Sequence, residues 1–196
     1  MTVRQPRNVD IITKDGQFNQ QWVRYFEGLA SAAGGTAGSK IVGGFNPIAA
    51  SFPATNFATF DLRNRHPVLD FDKTTQETVY FIGVMPDNYD ANGIVVEVWW
   101  TATTVTSGTV GWDVSIELMT GFDIDGDGFA TAQTITAATV SGTSGTVQSS
   151  SVEIADGTDM DSLVAGSLFR LRIRRDVASD DADNDAELHY VEMRIQ

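Results

Sequence analysis

From Val79 to the C-terminus the chain repeatedly alternates apolar and polar residues with a period of two, a pattern that suits β-strands with one buried face. Between Ile94 and Thr101, Val96, Val98 and Trp100 share one face. Trp112, Val114, Ile116 and Leu118 alternate with Asp113, Ser115 and Glu117, and Phe169, Leu171 and Ile173 alternate with Arg170, Arg172 and Arg174. His189, Val191, Met193 and Ile195 form the apolar face of a last strand, with His189 expected as a packed side chain. Turn formers fall between these runs, as in Pro86-Asp87-Asn88, Asn92-Gly93, Ser107-Gly108 and Ser141-Gly142-Thr143-Ser144-Gly145. About eight strands with no βαβ rhythm predict a mainly β fold, an antiparallel β-sandwich with a jelly roll as first choice.

A break in composition near residue 35 precedes this region. The spacing of Phe18, Trp22, Tyr25 and Leu29, with Phe26 alongside, predicts one amphipathic helix from Phe18 to Ala33. Before it, residues 6–16 read as an extended strip closed by Asp15-Gly16. The expected organisation is an attachment strip and helix over 1–33, a Gly-rich hinge over 34–40, and the β domain over 41–196. An isolated helix of about four turns is marginal in water, so the aromatic stripe needs cover. Three candidates are other copies of the helix in a short coiled coil, a groove on another protein, and the chain's own β domain.

Charge and composition narrow the function classes. The net charge of −13 opposes a nucleic-acid surface, which depends on clustered Lys and Arg. Five Lys and Arg against three Asp and Glu over residues 1–40 leave −15 on the rest, so an acidic body carries a slightly basic tail suited to docking on an acidic surface. With no cysteine, disulfides and thiolate chemistry are absent. No apolar run approaches the roughly 20 residues of a membrane span, so no membrane insertion is expected.

Few constellations point to chemistry. Asp123, Asp125 and Asp127, followed by Gly128, match the opening of a calcium loop, but Thr134 stands where a bidentate Glu belongs, and a polar hairpin loop explains the run better. Asp180, Asp181, Asp183 and Asp185 read as a solvated loop, and His66, before Pro67, as a loop residue. Neither a nucleophile elbow nor a carboxylate pair stands out, so the expectation is no enzyme and no cofactor, with Ca2+ the one candidate ion. Trp99 and Trp100 are adjacent and point to opposite faces of a strand, so one of them marks a candidate glycan or subunit contact. Arg170, Arg172 and Arg174 are expected to pair with acids on a neighbouring strand, the alternative being acids of an adjacent subunit.

Several stretches resemble a group of small β proteins of tailed bacteriophages: 52–61 with Arg63-Asn64 and 67–72, then 83–89, 169–176 and 185–188. Pro6-Arg7-Asn8-Val9 with Gln21-Trp22-Val23-Arg24-Tyr25-Phe26 looks like the particle-attachment segments that precede phage fibre domains. The resemblance implies a structural component of the virion, assembled in the bacterial host cytoplasm. Phe18, Trp22, Tyr25, Phe26 and Leu29 would then serve attachment or oligomerisation, and the β domain would project as a homotrimer. Tail association is preferred, with a head fibre or capsid decoration protein as the alternative. A carbohydrate-binding module for host-surface glycan is the rival from another class.

Overall fold

The structure is a computed structural model that describes residues 11, 12, 14, 19–33, 40–104, 106–121, 123, 125, 126 and 128–196, with the backbone alone described for 27–33 and 40. The chain divides into two units, Met1–Gly38 and Ser39–Gln196.

In the first unit one helix, α1 (Gln20–Ala33), begins two residues later than its apolar spacing predicted. Asn19 sets that start, because its side-chain oxygen accepts from the Gln21 N–H at 2.9 Å and its carbonyl from Trp22 and Val23. Trp22, Tyr25 and Phe26 form one aromatic cluster, with ring centres 5.6 to 5.7 Å apart, as their shared helical face requires. Phe18, the hinge at 34–39 and the side chain of Leu29 lie outside the described residues.

The second unit is mainly β, with ten described strands in two antiparallel sheets. They are β1 (Lys40–Phe45), β2 (Thr59–Arg63), β3 (His66–Phe71), β4 (Thr78–Val84), β5 (Ile94–Ala102), β6 (Thr109–Leu118), β7 (Gln133–Thr139), β8 (Gln148–Ile154), β9 (Leu168–Arg175) and β10 (Ala186–Ile195). The larger sheet runs β2-β3-β10-β5-β8, with β1 also paired to β10; the smaller runs β4-β9-β6-β7. The strands predicted at 94–101, 112–119 and 168–174 correspond to β5, β6 and β9. β1 and β3 carry no comparable alternation, β2 alternates but leaves Phe60 and Leu62 exposed, and β3 holds Pro67, which cannot donate to a ladder.

One apolar core lies between the sheets. Phe71 of the larger sheet meets Trp112 of the smaller edge to face at 5.0 Å, and Phe45 stacks on Phe81 at 5.3 Å. Trp100 is 0% exposed, and its indole N–H donates to Ser150 Oγ at 3.0 Å. Gly93 turns the chain into β5 at φ +88, where a Cβ would stand 2.5 Å from the Ile154 carbonyl oxygen, so no other residue fits that turn without distortion.

The loop at 180–185 is solvated at Asp181 and Asp183, as its composition suggested, but not at Asp180. Asp180 is buried against Arg175, which donates from Nε at 2.6 Å, while Arg175 also donates to the Phe71 carbonyl of the opposite sheet at 3.0 Å. Asp181 accepts from the Thr109 N–H and hydroxyl, Asp183 pairs with Lys73, and Asp185 accepts from the Lys73 N–H. The acids therefore fasten this connection to both sheets. Composition alone registers their charge and not their partners.

Candidate functional site

The outer face of the larger sheet gathers most of the chemistry. Along β5 the core takes Ile94, Val96, Val98 and Trp100, so Val95, Glu97, Trp99 and Thr101 point away from it. Trp99, 37% exposed, is therefore the outward indole, and Trp100 is withdrawn from the candidate contacts because it fills the core.

A β-bulge in β10 shapes this face. Leu188 pairs with Trp100 and Tyr190 with Trp99, leaving His189 as the extra residue between them. The bulge places both His189 and Tyr190 on the outer side, and alternation with Val191 facing inward resumes beyond it. His189 is therefore not the packed core residue that a regular period of two predicted. Tyr190 is 39% exposed and stands opposite Trp99, forming an outward aromatic pair in register. Its hydroxyl lies over Gly44 of β1, where an added Cβ would fall 1.7 Å from that oxygen.

A cleft of about 340 Å³ opens on this face, lined by Arg63, Asn64, His66, Thr101, Gly145, Val147 and His189, of which Thr101 lies two residues on from Trp99 and His189 next to Tyr190 in the chain. Two of these side chains are positioned by a two-residue hairpin. Arg63 and His66 pair across the β2–β3 turn, and Asn64 and Arg65 both have positive φ, +46 and +70, as a type I′ turn requires. His66 is thus the first residue of a strand and not a loop residue. The turn lacks the glycine that usually announces it, so sequence reading missed it; the Asn64 was the available signal.

Arg63 reaches across the sheet from β2 to β5. It pairs with Glu187 and donates to the carbonyls of Ala102 at 3.1 Å and Thr103 at 2.8 Å. Thr101 donates to Glu187 at 2.7 Å, and its hydroxyl lies 3.0 Å from His189 Nε2. Ser144 donates to the Thr103 carbonyl at 3.0 Å, which holds the 141–147 loop against this end of the sheet. The floor is thus cross-linked before any ligand arrives, so little ordering cost remains for binding.

Two groups titrate abnormally. Burial, opposed by Glu187 but reinforced by the charges of Arg63 and His66, lowers the His189 pKa and favours the neutral imidazole, whose Nε2–H faces the Thr101 oxygen and whose Nδ1 is left as an acceptor. Asp70, opposite Glu187 in register, is pushed up to about 6 by burial and by the neighbouring carboxylates Asp185, Glu187, Asp61 and Glu77. Its Oδ1 is buried without a hydrogen-bond partner among the described residues. Glu187 is already committed to Arg63 and Thr101, which leaves this pair poorly arranged for acid–base work on a substrate.

The remaining sequence candidates lie elsewhere. Asp123 and Asp125 are exposed in a turn where Asp123 accepts the Asp125 N–H at 3.1 Å, and Asp127 lies outside the described residues. Among the described residues no group of three or more His, Asp or Glu side chains is placed to hold a metal ion. No described helix is long and apolar enough to cross a membrane. On the smaller sheet, Arg170 pairs with Glu117 and Arg174 with Asp113, so two of the three arginines find acids on the neighbouring β6.

No family model matches the chain, and no curated protein matches it in sequence. Solved structures match it at low similarity. A xylan-binding module, CBM15, is 8% identical with a TM-score of 0.45, over 81% of this chain and 97% of that one. The CBM22-2 xylan-binding domain of Paenibacillus barcinonensis Xyn10C is 9% identical with a TM-score of 0.45, over 76% and 92%. TmCBM61, solved with β-1,4-galactotriose, is 7% identical with a TM-score of 0.38, over 81% and 92%.

Proposed function

We propose that the chain is a non-enzymatic glycan-recognition module on a jelly-roll sandwich, with its binding surface on the outer face of the larger sheet. The observation that carries this reading is the outward pair Trp99 and Tyr190, in register on neighbouring strands beside the cleft. A sugar ring has an apolar C–H face and a rim of hydroxyls. Such a ring suits an exposed aromatic face flanked by polar groups that accept and donate. Asn64, the neutral His189 and His66 supply that rim. The strand orders 3-10-5-8 and 4-9-6-7, in which most consecutive strands cross to the opposite sheet, support the jelly-roll assignment.

The test is a glycan array followed by titration calorimetry on its best ligand. Trp99→Ala should weaken binding by at least about 30-fold, the loss expected for a central aromatic contact. Retention of affinity by Trp99→Ala, or an array with no binding above background, overturns the reading.

A second reading concerns what carries the module, and the separate N-terminal unit with its aromatic helix favours it. The Trp22, Tyr25 and Phe26 cluster with a half-exposed Phe26 fits an attachment or oligomerisation element of a phage appendage, with the β domains projecting as a homotrimer from tail or capsid. Trp22→Asp should leave the β domain folded yet abolish incorporation into particles. Incorporation at normal copy number removes the attachment role.

A further inference from the structure

The outer face of the smaller sheet holds a second arrangement of charge. Three register rows cross it from β4 through β9 to β6: Ile82–Arg170–Glu117, Tyr80–Arg172–Ser115 and Thr78–Arg174–Asp113. The outer rows each place a carboxylate opposite the arginine, and both pairs form. In the middle row β6 offers Ser115 where the pattern would put an acid. No side-chain hydrogen bond of Arg172 is present among the described residues, and its Nε is buried without a partner. The Nε of Arg174 and the Oγ of Ser115 are likewise buried and partnerless, and Ser115 is only 1% exposed.

Neighbouring rings fix the orientation of these groups. Phe129 stacks on Tyr80 with ring centres 5.5 Å apart, and the Arg172 guanidinium carbon lies 4.4 Å from the Phe129 ring centre. Arg170 sits 4.7 Å from Tyr80 and 4.8 Å from Phe129 in the same stack. Held on an aromatic face, a guanidinium keeps its N–H edge for an acceptor. Arg172 is half-buried, and that burial together with Arg174 and Arg170 lowers its pKa despite the opposing pull of Asp113. A third acid, Asp176, acts on Asp113, while in the middle row the positive charge of Arg172 has no carboxylate opposite it, in a chain whose net charge is −13. One added negative charge balances it; a phosphate dianion would overshoot.

We propose that Arg172, Arg174 and Ser115 form a binding site for a single carboxylate, supplied by an acidic ligand and separate from the aromatic face of the larger sheet. The ligand's oxygens accept from Arg172 and, as binding displaces the Phe129 ring stacked on that guanidinium, from the buried Ser115 hydroxyl, completing the middle row as Glu117 and Asp113 complete the outer ones.

The experiment follows the arginine Nε–H resonances of the full-length protein by NMR during titration with sodium acetate and, separately, sodium D-glucuronate, at ionic strength held constant with sodium chloride. The expected result is a saturable shift of the Arg172 and Arg174 signals, absent in chloride. Tighter binding of glucuronate than of acetate assigns the carboxylate to a saccharide, and equal binding assigns it to the carboxylate alone. Arg172→Gln should weaken the remaining Arg174 response at least about tenfold, the loss of one charge-assisted hydrogen bond. Ser115→Ala, which removes one oxygen from an otherwise unchanged strand, should also weaken binding with the spectrum intact. Failure of the Arg172 signal to move, the same movement in chloride, or unaltered acetate binding by both variants overturns the site.

Discussion

Arg175→Met should destabilise the β domain by about 3–5 kcal/mol, because it strands a buried carboxylate. Arg175 and Asp180 have side-chain exposures of 0% and 2%, so neither charge is screened by water. The guanidinium grips Asp180 from Nε at 2.6 Å and from one terminal nitrogen at 3.2 Å, and its other terminal nitrogen donates to the Phe71 carbonyl. Methionine fills a similar length of apolar space but leaves Asp180 and that carbonyl without their donors. Urea unfolding should report the loss as a lower midpoint. In a domain of this size each kcal/mol moves the melting temperature by about 2–4 °C, so the midpoint should fall by about 6–20 °C. The double variant Arg175→Met/Asp180→Leu separates the pair's net worth from the cost of breaking it. Desolvation of two ions roughly cancels their attraction, so the double variant should recover most of the stability lost by the single one. A single-variant loss below about 1 kcal/mol would refute the reasoning, as would a double variant no more stable than Arg175→Met.

Three further outcomes are expected. Asp70→Asn should stabilise the fold at pH 7 by about 1–2 kcal/mol, less than the full shift converts to, because Asp70 is incompletely buried. The folded pKa of about 6 lies above the ordinary aspartate value of 3.8, so the native state binds the extra proton between them and the charged form is penalised above. The gain should therefore shrink as pH falls through about 6 and vanish near pH 4 in paired thermal melts. Gly44→Ala should displace Tyr190, since its Cβ would overlap the hydroxyl, and should weaken glycan binding while leaving the far-ultraviolet circular dichroism unchanged. Trp99→Ala should cost less than about 1 kcal/mol of stability, because its ring is on the outer face, and a larger loss in urea titration would place it in the core.

The fold was legible where strands are half-buried and regular. In β5 and β9 the alternation of Val96, Val98 and Trp100, or of Phe169, Leu171 and Ile173, follows from one face meeting the core. It held in β6 as well, although both faces of that strand are buried, because the arginines and Phe129 cover the outer one. It faded in β2 and β3. Phe60 and Leu62 share their rows with Leu69 and Pro67, yet both are exposed on an edge strand, so their apolar character does not mark a buried face.

The site was less legible because it depends on register, a property of pairs of strands. A period-two reading of β10 put His189 with Val191, Met193 and Ile195, and one extra residue in the ladder reversed that assignment. Tyr190 was already outward on that reading, so the aromatic pair follows from regular alternation, and only the cleft histidine arises from the backbone irregularity. Arg63 reaches Glu187 because β3 alone lies between β2 and β10, a strand order with no local signature. Adjacent tryptophans required one indole on each side of β5, and the register then determined which side carried the partner for a ligand. If this face binds glycan as proposed, its specificity can change through the cleft loops while the cross-linked strand floor stays fixed.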